Sequence, residues 1–287
     1  MTGLPPTLPQ PPVPGPDWLA TRGQPPEPPV APAAALAPLR QVGQVFALAG
    51  TTVVATFRRP FALRELIEQF WFIVSVTILP TALVAIPFGA VISLQVGSLL
   101  QQFGAQSFTG AGSVIAVVQQ ASPLIVALVI AGAAGSAICA DLGARTIREE
   151  LDAMEVMSVS PVQRLVVPRV LAITGVSVLL NGLTSVVGIL GGYFLNVYVQ
   201  HGTPGSYLSS FSTLAQLPDL YISEIKALIF GFIAGVVACY RGLHPRPGPK
   251  GVGDAVNESV VIAFVLLFVV NVVLTAIYLQ VVPAKGA

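Results

Sequence analysis

A stretch of 72 residues, from 69 to 140, contains no Asp, Glu, Lys or Arg. About a quarter of the residues in soluble domains are charged, whereas a charge near the centre of a bilayer costs about 3 kcal/mol or more. Three further charge-free runs follow, at 170–218, 227–240 and 259–284. The whole chain is 54% hydrophobic and 9% charged, so the sequence predicts an all-α, polytopic membrane protein.

The charge-free runs predict five transmembrane helices. A helical span needs about 20 apolar residues, so the first run is long enough for two spans. The stretch from Gly104 to Gly112 is typical of the turn between them. A transmembrane β-barrel would show alternating segments of about ten residues, which this sequence lacks. The predicted spans lie near 70–98, 114–138, 167–197, 222–240 and 258–281.

The positive charges predict the orientation of these spans, because short cytoplasmic loops are rich in Lys and Arg. From Leu39 onward, Lys226 and Lys285 fall on one side of the predicted spans. The other side holds eleven such residues: Arg40, Arg58, Arg59, Arg64, Arg145, Arg148, Arg164, Arg169, Arg241, Arg246 and Lys250. We therefore expect a cytoplasmic N-terminus and an external C-terminus.

The segment before the first span divides into two parts. Residues 1–38 hold 13 of the chain's 25 prolines and no apolar run, which predicts a disordered cytoplasmic tail. From 39 to 59, apolar residues recur at steps of three or four, as on one face of a helix. We expect an amphipathic helix lying on the cytoplasmic leaflet, and one membrane domain over residues 39–287.

The first predicted span contains Pro80 and Pro87, which lie seven residues apart and so on nearly one face. Proline removes a backbone donor and kinks a helix, and lipid tolerates the freed carbonyl only where it finds a partner. The prolines therefore predict a bent helix that faces protein or a cavity, and a simple packing kink is the alternative. They are the candidate residues of a substrate cavity.

The segment between the second and third predicted spans is the most informative charged part of the chain. Residues 144–157 predict a helix with Leu151 and Met154 on its apolar face, and Ser160 with Pro161 is typical of the start of the next helix. From 141 to 157, five acidic residues stand against two arginines. A helix that lies on anionic lipid would be basic, so this pattern favours a cytoplasmic coupling helix that binds a protein. A solvated connector is the alternative.

The same segment resembles the signature loop of a known family. Glu149-Glu150-Leu151-Asp152-Ala153-Met154 and the following Ser160-Pro161-Val162-Gln163-Arg164 are similar to that loop in MlaE/YrbE permeases, the membrane subunits of Mla and Mce ABC lipid transporters. The family pattern is close to Glu-Gln-x-Asp-Ala-Leu, so Glu150 and Met154 are mild departures. Gly251-Val252-Gly253-Asp254-Ala255 is a second match. The resemblance covers about Leu39 to Ala284 and is closest to the A-type YrbE subunit of actinobacterial Mce operons.

The resemblance implies the permease subunit of an ATP-driven lipid transporter in a bacterial plasma membrane. It implies a second YrbE-type subunit as the partner in a heterodimer, and a cytoplasmic ATPase dimer docked on the acidic loop. It also implies MCE-domain proteins that carry the membrane lipid onward. The ATPase-docking residues would be Arg148, Glu149, Glu150, Leu151, Asp152, Met154 and Glu155.

The chain lacks the Gly-x-x-x-x-Gly-Lys-Ser/Thr phosphate loop, so we expect ATP hydrolysis in a partner and no enzymatic activity here. No cofactor or metal site is predicted, since His201 and His244 are isolated, and a net charge of +1 predicts no nucleic-acid partner. Ion-coupled carriers usually keep ionisable residues inside the membrane, and the predicted spans have almost none. An ion-coupled secondary transporter or a non-transporting assembly scaffold is the alternative function.

Single cysteines introduced into a variant without Cys139 and Cys239 test the five-span topology. A membrane-impermeant thiol reagent should label positions Ser107 and Thr203 from outside the cell, and Pro249 only after the membrane is opened. The reason is the asymmetry of Lys and Arg across the predicted spans. Labelling at Pro249 in intact cells would contradict the topology.

Overall fold

The structure is a computed structural model that describes residues 32–56, 63–105, 108–199, 202–214 and 217–281. The chain divides into two compact units, Met1–Gln44 and Val45–Ala287, and the helical bundle belongs to the second unit. The α-helices of the described residues are, in chain order, α1 (Pro32–Thr56), α2 (Leu63–Gln102), α3 (Thr109–Ala116), α4 (Ser122–Val129), α5 (Ser136–Ile147), α6 (Glu150–Val156), α7 (Val167–Tyr198), α8 (Pro204–Leu214), α9 (Leu217–Leu243) and α10 (Pro249–Val281).

Within the described part of the chain, five helical segments are long and apolar enough to cross a membrane. The first, fourth and fifth are α2, α9 and α10. The second joins α3, α4 and α5 through π-helical turns at Val117–Ala121 and Ile130–Gly135, and the third joins a π-helical turn at Val162–Val166 to α7. The described residues contain no β-strand, and the predicted all-α fold with five candidate spans is confirmed.

Two of the helices begin well before the spans predicted for them. α2 begins at Leu63 and α10 at Pro249, whereas the charge-free runs placed these starts near 70 and 258. The first turns of α2 are charged, and Arg64 pairs with Glu68 at 2.9 Å across one helical turn. Pairs of this kind support a helix in water, so the helix continues where the apolar run has ended.

The N-terminal boundaries also differ from the prediction. α1 begins at Pro32, whereas the predicted tail extended to residue 38. Residues 1–31 of the predicted tail and residues 57–59 of the predicted interfacial helix lie outside the described residues. From Val45 onward, Val45, Leu48 and Ala49 of α1 pack against the hydrophobic core of the bundle.

The contact between α2 and α7 is built from small side chains. The buried residues of α2 recur at every fourth position: Ile73, Thr77, Thr81, Ala85, Gly89, Ser93 and Gly97. A Cβ atom at Gly89 would lie 2.1 Å from the carbonyl oxygen of Gly188 on α7, so the two backbones touch. Close backbone approach of this kind holds helices together in lipid, where burial of apolar surface gives no gain.

Proline explains two of the three π-helical turns. Pro123 is the second residue of α4 and Pro168 the second residue of α7. A proline cannot donate to the carbonyl four residues before it, and its ring clashes with that carbonyl. In both cases that carbonyl lies inside the preceding π-helical turn, whose wider winding relieves the clash.

α8 was not predicted, and it packs against α3 at the end of the bundle where α7 ends and α9 begins. Its Tyr207 is buried, with its ring edge-on to Tyr193 at 5.5 Å between centroids. Burial raises the pKa of Tyr207 to about 12, so its phenol stays protonated at physiological pH. We call this the α8 end of the bundle, and the opposite end the α6 end.

Replacing Gly89 by Ala should destabilise the bundle, because the added methyl group has no space against the Gly188 backbone. Overpacking of this kind lowers the free energy of unfolding by about 1–3 kcal/mol. The check is the melting temperature of the purified protein in detergent. Gly50→Ala is the matched control, since nothing lies within 4 Å of a Cβ atom there. Equal melting temperatures for Gly89→Ala and the unchanged protein would contradict the close contact.

Candidate functional site

α6 is a short helix that follows α5 after a break in the chain direction. The structure therefore differs from the prediction of one continuous helix over 144–157. α5 ends at Ile147, and Glu149 adopts a left-handed conformation with φ of 59° before α6 begins at Glu150. A left-handed residue interrupts the helical hydrogen bonds, and it persists only where its surroundings fix it. The ion pairs that flank Glu149 provide that restraint.

The seven predicted docking residues divide by exposure. Arg148, Glu149, Asp152 and Glu155 are exposed, and Glu150 is half-buried. Leu151 is only 8% exposed, and Met154 packs against the same hydrophobic core of the bundle. The predicted apolar docking face is therefore turned inward, where it anchors α6 to the spans.

Sequence reasoning missed the exposed apolar residues of this region. Val156 is 86% exposed and Met157 is 67% exposed, directly after the exposed Asp152 and Glu155. We define the α6 surface as Glu149, Asp152, Glu155, Val156 and Met157. Three carboxylates beside two large apolar side chains can bind a partner through both charge and burial.

A buried ion pair fixes the base of α6. The Arg169 side chain at the start of α7 is fully buried, and its Nη2 lies 2.6 Å from Oδ2 of Asp141 on α5. Nη1 of Arg169 donates to the Leu165 carbonyl at 2.9 Å. A buried cation is tolerated only when it is paired and hydrogen-bonded, so Asp141 is the residue that allows Arg169 to lie there.

The ion pairs continue from Asp141 to α6. Nε of Arg145 lies 3.2 Å from Oδ1 of Asp141, and its Nη1 lies 3.8 Å from Glu150. Nε of Arg148 lies 3.1 Å from the same Glu150 carboxylate. A continuous helix would bring Arg145 close to Glu149 and Arg148 close to Asp152, four residues apart, but the break at Glu149 changes which side chains meet. We call Arg169, Asp141, Arg145, Glu150 and Arg148 the ion-pair chain.

The second sequence motif also lies at the α6 end, at the start of α10. A Cβ atom at Gly251 would lie 2.0 Å from the Arg246 carbonyl oxygen, so only glycine fits there. A Cβ atom at Gly143 on α5 would meet Val252 at 2.9 Å. The motif therefore allows the loop before α10 to turn tightly and α10 to pack on α5.

A cavity of about 500 Å³ lies between the second, third and fourth spans, toward the α8 end. Its walls are mainly apolar, and the polar side chains that reach it are Ser185, Asp219 and Glu224. Pro80 and Pro87 do not line it. Both lie inside α2, which continues through them, and both are exposed.

Lys226 lies inside α9, as the predicted span over 222–240 requires. Its side chain is 1% exposed, and Nζ donates to the Gln119 carbonyl at 3.0 Å and to Oγ1 of Thr275 at 2.8 Å. No carboxylate of the described residues lies within ion-pair distance of it. The Gln119 side chain donates to Oδ1 of Asp219 at 2.7 Å, and the Tyr278 hydroxyl donates to the same oxygen.

The sequence profile of the family described as permease MlaE matches residues 66–277 of the chain. The chain belongs to the MlaE permease family. It is 30% identical over 239 residues to a probable ABC transporter permease protein of Rickettsia bellii, covering 83% of this chain and 91% of that protein. A protein of the same description from Synechocystis is 32% identical over 192 residues, covering 67% of this chain and 73% of that protein.

Membership of the MlaE permease family makes the chain a membrane permease component of an ABC transporter, which works with an ATPase partner. The matched residues run from α2 into α10, so they include α6, the ion-pair chain and the cavity. The predicted resemblance to the MlaE family is therefore confirmed.

Removing the Asp141 carboxylate should destabilise this MlaE-family bundle, because Arg169 would remain buried without its counter-ion. Breaking a buried pair from one side costs about 3–5 kcal/mol. Because the Asp141 side chain is 42% exposed, we expect a loss of about 2 kcal/mol for Asp141→Ala. The measurement is thermal unfolding of the purified protein.

The matched control is Glu68→Ala, which breaks the exposed pair with Arg64. Exposed pairs contribute little because water and salt screen them, so this variant should melt at the temperature of the unchanged protein. Equal losses in the two variants would show that the Arg169 pair has no special role.

Proposed function

We propose that the chain is the membrane subunit of an ATP-driven lipid transporter of the Mce/Mla type, and that its α6 surface docks the ATPase. The observation that carries this proposal is the α6 surface itself. Glu149, Asp152 and Glu155 expose three carboxylates, and Val156 and Met157 expose apolar side chains beside them. This surface projects from the ends of two spans of an ABC permease.

The chemistry of the α6 surface favours a protein partner over a membrane surface. Anionic lipid repels carboxylates, and helices that lie on such lipid are rich in Lys and Arg. A partner with basic groups around an apolar pocket would pair the carboxylates and bury Val156 and Met157. An ATPase that docks there would approach from the side of the membrane where its ATP is found, which makes the α6 end cytoplasmic.

The ion-pair chain supports coupling between that docking site and the spans. Glu150 begins α6, and Arg145 and Asp141 connect it to Arg169 in the interior of the bundle. A partner that binds differently in its open and closed states shifts the equilibrium between two arrangements of the helices to which it is attached. Movement of α6 would therefore be carried to the end of α5 and the start of α7.

One observation favours the rival function of an ion-coupled secondary transporter. Lys226 is buried inside a span, and Glu224 lines the cavity, although the sequence predicted almost no ionisable residues there. Buried ionisable groups are the usual relays of ion-coupled carriers. The relatives of the chain are named as ABC transporter permeases, and this weighs against the rival function. In an ABC transporter an ATPase supplies the energy for transport, so no ion-coupling residues are needed in the membrane.

The remaining partners and the orientation belong to the same proposal. The N-terminus would be cytoplasmic and the C-terminus external, in a bacterial inner membrane. α2 and α10 have the smallest buried fractions among the candidate spans, which leaves their apolar faces for lipid and for a second YrbE-type subunit. Pro80 and Pro87 lie exposed on α2, so they would line a substrate cavity only if that second subunit completes it. MCE-domain proteins would carry the lipid onward.

Reversing the charge of two exposed residues of α6 tests the docking. Asp152→Arg with Glu155→Arg should weaken association with the ATPase at least tenfold, which corresponds to about 1.4 kcal/mol. These positions are better suited than Glu150, whose carboxylate also holds Arg145 and Arg148. The measurement is co-purification of the ATPase together with ATP-dependent lipid transfer in proteoliposomes.

The control is Glu68→Arg, which reverses an exposed charge near the start of α2, at the same end of the bundle but outside α6. It should leave association and transfer unchanged. A second variant, Val156→Asp, tests the apolar part of the α6 surface and should also weaken association. If the double reversal binds the ATPase and moves lipid normally, α6 is a solvated connector and the proposal fails.

A further inference from the structure

Glu224 lines the cavity, and one oxygen of its carboxyl group is left unsatisfied by the rest of the described chain. Oε2 of Glu224 is buried and has no hydrogen-bond partner among the described residues. The Asn181 side chain contacts the Glu224 carboxyl from α7, and that amide also donates to Oγ of Ser223 at 2.8 Å. Buried acceptors are almost always hydrogen-bonded, so an unpaired one on a side chain that lines a cavity indicates a ligand.

The other polar side chains at the cavity already have partners. Asp219 accepts hydrogen bonds from the Gln119 and Tyr278 side chains. Oγ of Ser185 donates to Oγ of Ser122 at 2.9 Å. Glu224 is therefore the lining side chain, among those described, that can recognise a ligand through an unused acceptor.

The rest of the lining is suited to hydrocarbon. Val114 and Val118 of the second span face Val186 and Ile189 of the third across the cavity. Its volume of about 500 Å³ lies within the range of about 300–1,000 Å³ for ligand pockets. An apolar lining of this kind favours hydrocarbon over water.

We propose that this cavity binds a membrane lipid whose headgroup donates a hydrogen bond to Oε2 of Glu224, with its hydrocarbon chain against Val114, Val118, Val186 and Ile189. The donor is a hydroxyl or an ammonium group. That the bound lipid is the transported substrate rests on the proposed function, whereas binding itself does not. A site built around a hydrogen bond rejects a ligand that lacks the donor, because the buried acceptor is then left unpaired.

The test uses three photoreactive lipids with the same chain and a diazirine within it: a long-chain primary alcohol, the corresponding primary amine, and the methyl ether of the alcohol. The full-length protein is purified with its transporter partners in nanodiscs, irradiated with each probe, and digested for mass spectrometry. The alcohol, the amine or both should label peptides of α3, α7 or α9 at the cavity. The methyl ether should label them at least tenfold less.

Three variants separate the hydrogen bond from the shape of the cavity. Glu224→Leu should reduce labelling by the donor probes about tenfold and abolish their advantage over the ether. Glu224→Gln keeps an acceptor oxygen without the charge, so it should retain labelling by the alcohol and lose any preference for the amine. Gly182→Leu should reduce labelling by all three probes, because Gly182 lines the cavity and a Cβ atom there has Oε1 of Glu224 at 3.9 Å as its nearest neighbour.

Equal labelling by the three probes, or labelling that Glu224→Leu leaves unchanged, would overturn the inference. So would labelling confined to peptides away from the cavity. If Glu224→Leu does not give a monodisperse protein, Glu224→Gln and Gly182→Leu still decide. ATPase association is measured in the same samples. An unchanged protein that binds the ATPase but is labelled equally by the three probes contradicts this inference alone, whereas an unchanged protein that does not bind the ATPase contradicts the proposed function.

Discussion

The backbone contact between α2 and α7 is the interaction on which the rest of the bundle depends. In lipid, helices gain little from burying apolar surface against one another, so close packing must hold them together. A Cβ atom at Gly89 would overlap the Gly188 carbonyl, and one at Gly231 on α9 would lie 2.2 Å from Oγ of Ser177 on α7. α7 is therefore held between α2 and α9 at backbone distance. The position of α7 determines where Arg169 lies at the α6 end and where the cavity wall lies near the α8 end.

The five spans could be predicted because a bilayer excludes charge, and the charge-free runs of the sequence follow directly from that constraint. The first and last residues of the helices could not be predicted in this way. A helix continues into water wherever its side chains pair, as Arg64 and Glu68 do at the start of α2. The break at Glu149 was equally hidden. Periodicity carries one helix through residues 144–157, whereas the observed turn depends on ion pairs that reach Glu150 from Arg145 and Arg148.

The candidate sites show the same division between local and long-range information. The motif around Glu150 located the α6 region, but the sequence could not tell that Leu151 faces the bundle while Val156 faces outward. Pro80 and Pro87 indicated a special helix, yet they are exposed on α2 and the described cavity lies elsewhere. The cavity joins residues more than 100 positions apart, such as Val114 and Glu224. No pattern within one helix could reveal such a pairing.

α7 connects the two regions physically. Sixteen residues separate Arg169 from Ser185 in one uninterrupted helix, which is about 24 Å at 1.5 Å per residue. A packed helix moves as a unit, because its backbone contacts leave no space in which a local shift could be absorbed. Movement applied to Asp141 and Arg169 at the α6 end would therefore displace Ser185 and Ile189 relative to Glu224 on α9. The volume of the cavity and the access of a headgroup to Glu224 would change together, so a single rigid helix is sufficient to link the proposed docking at one end of the bundle to the proposed lipid binding near the other.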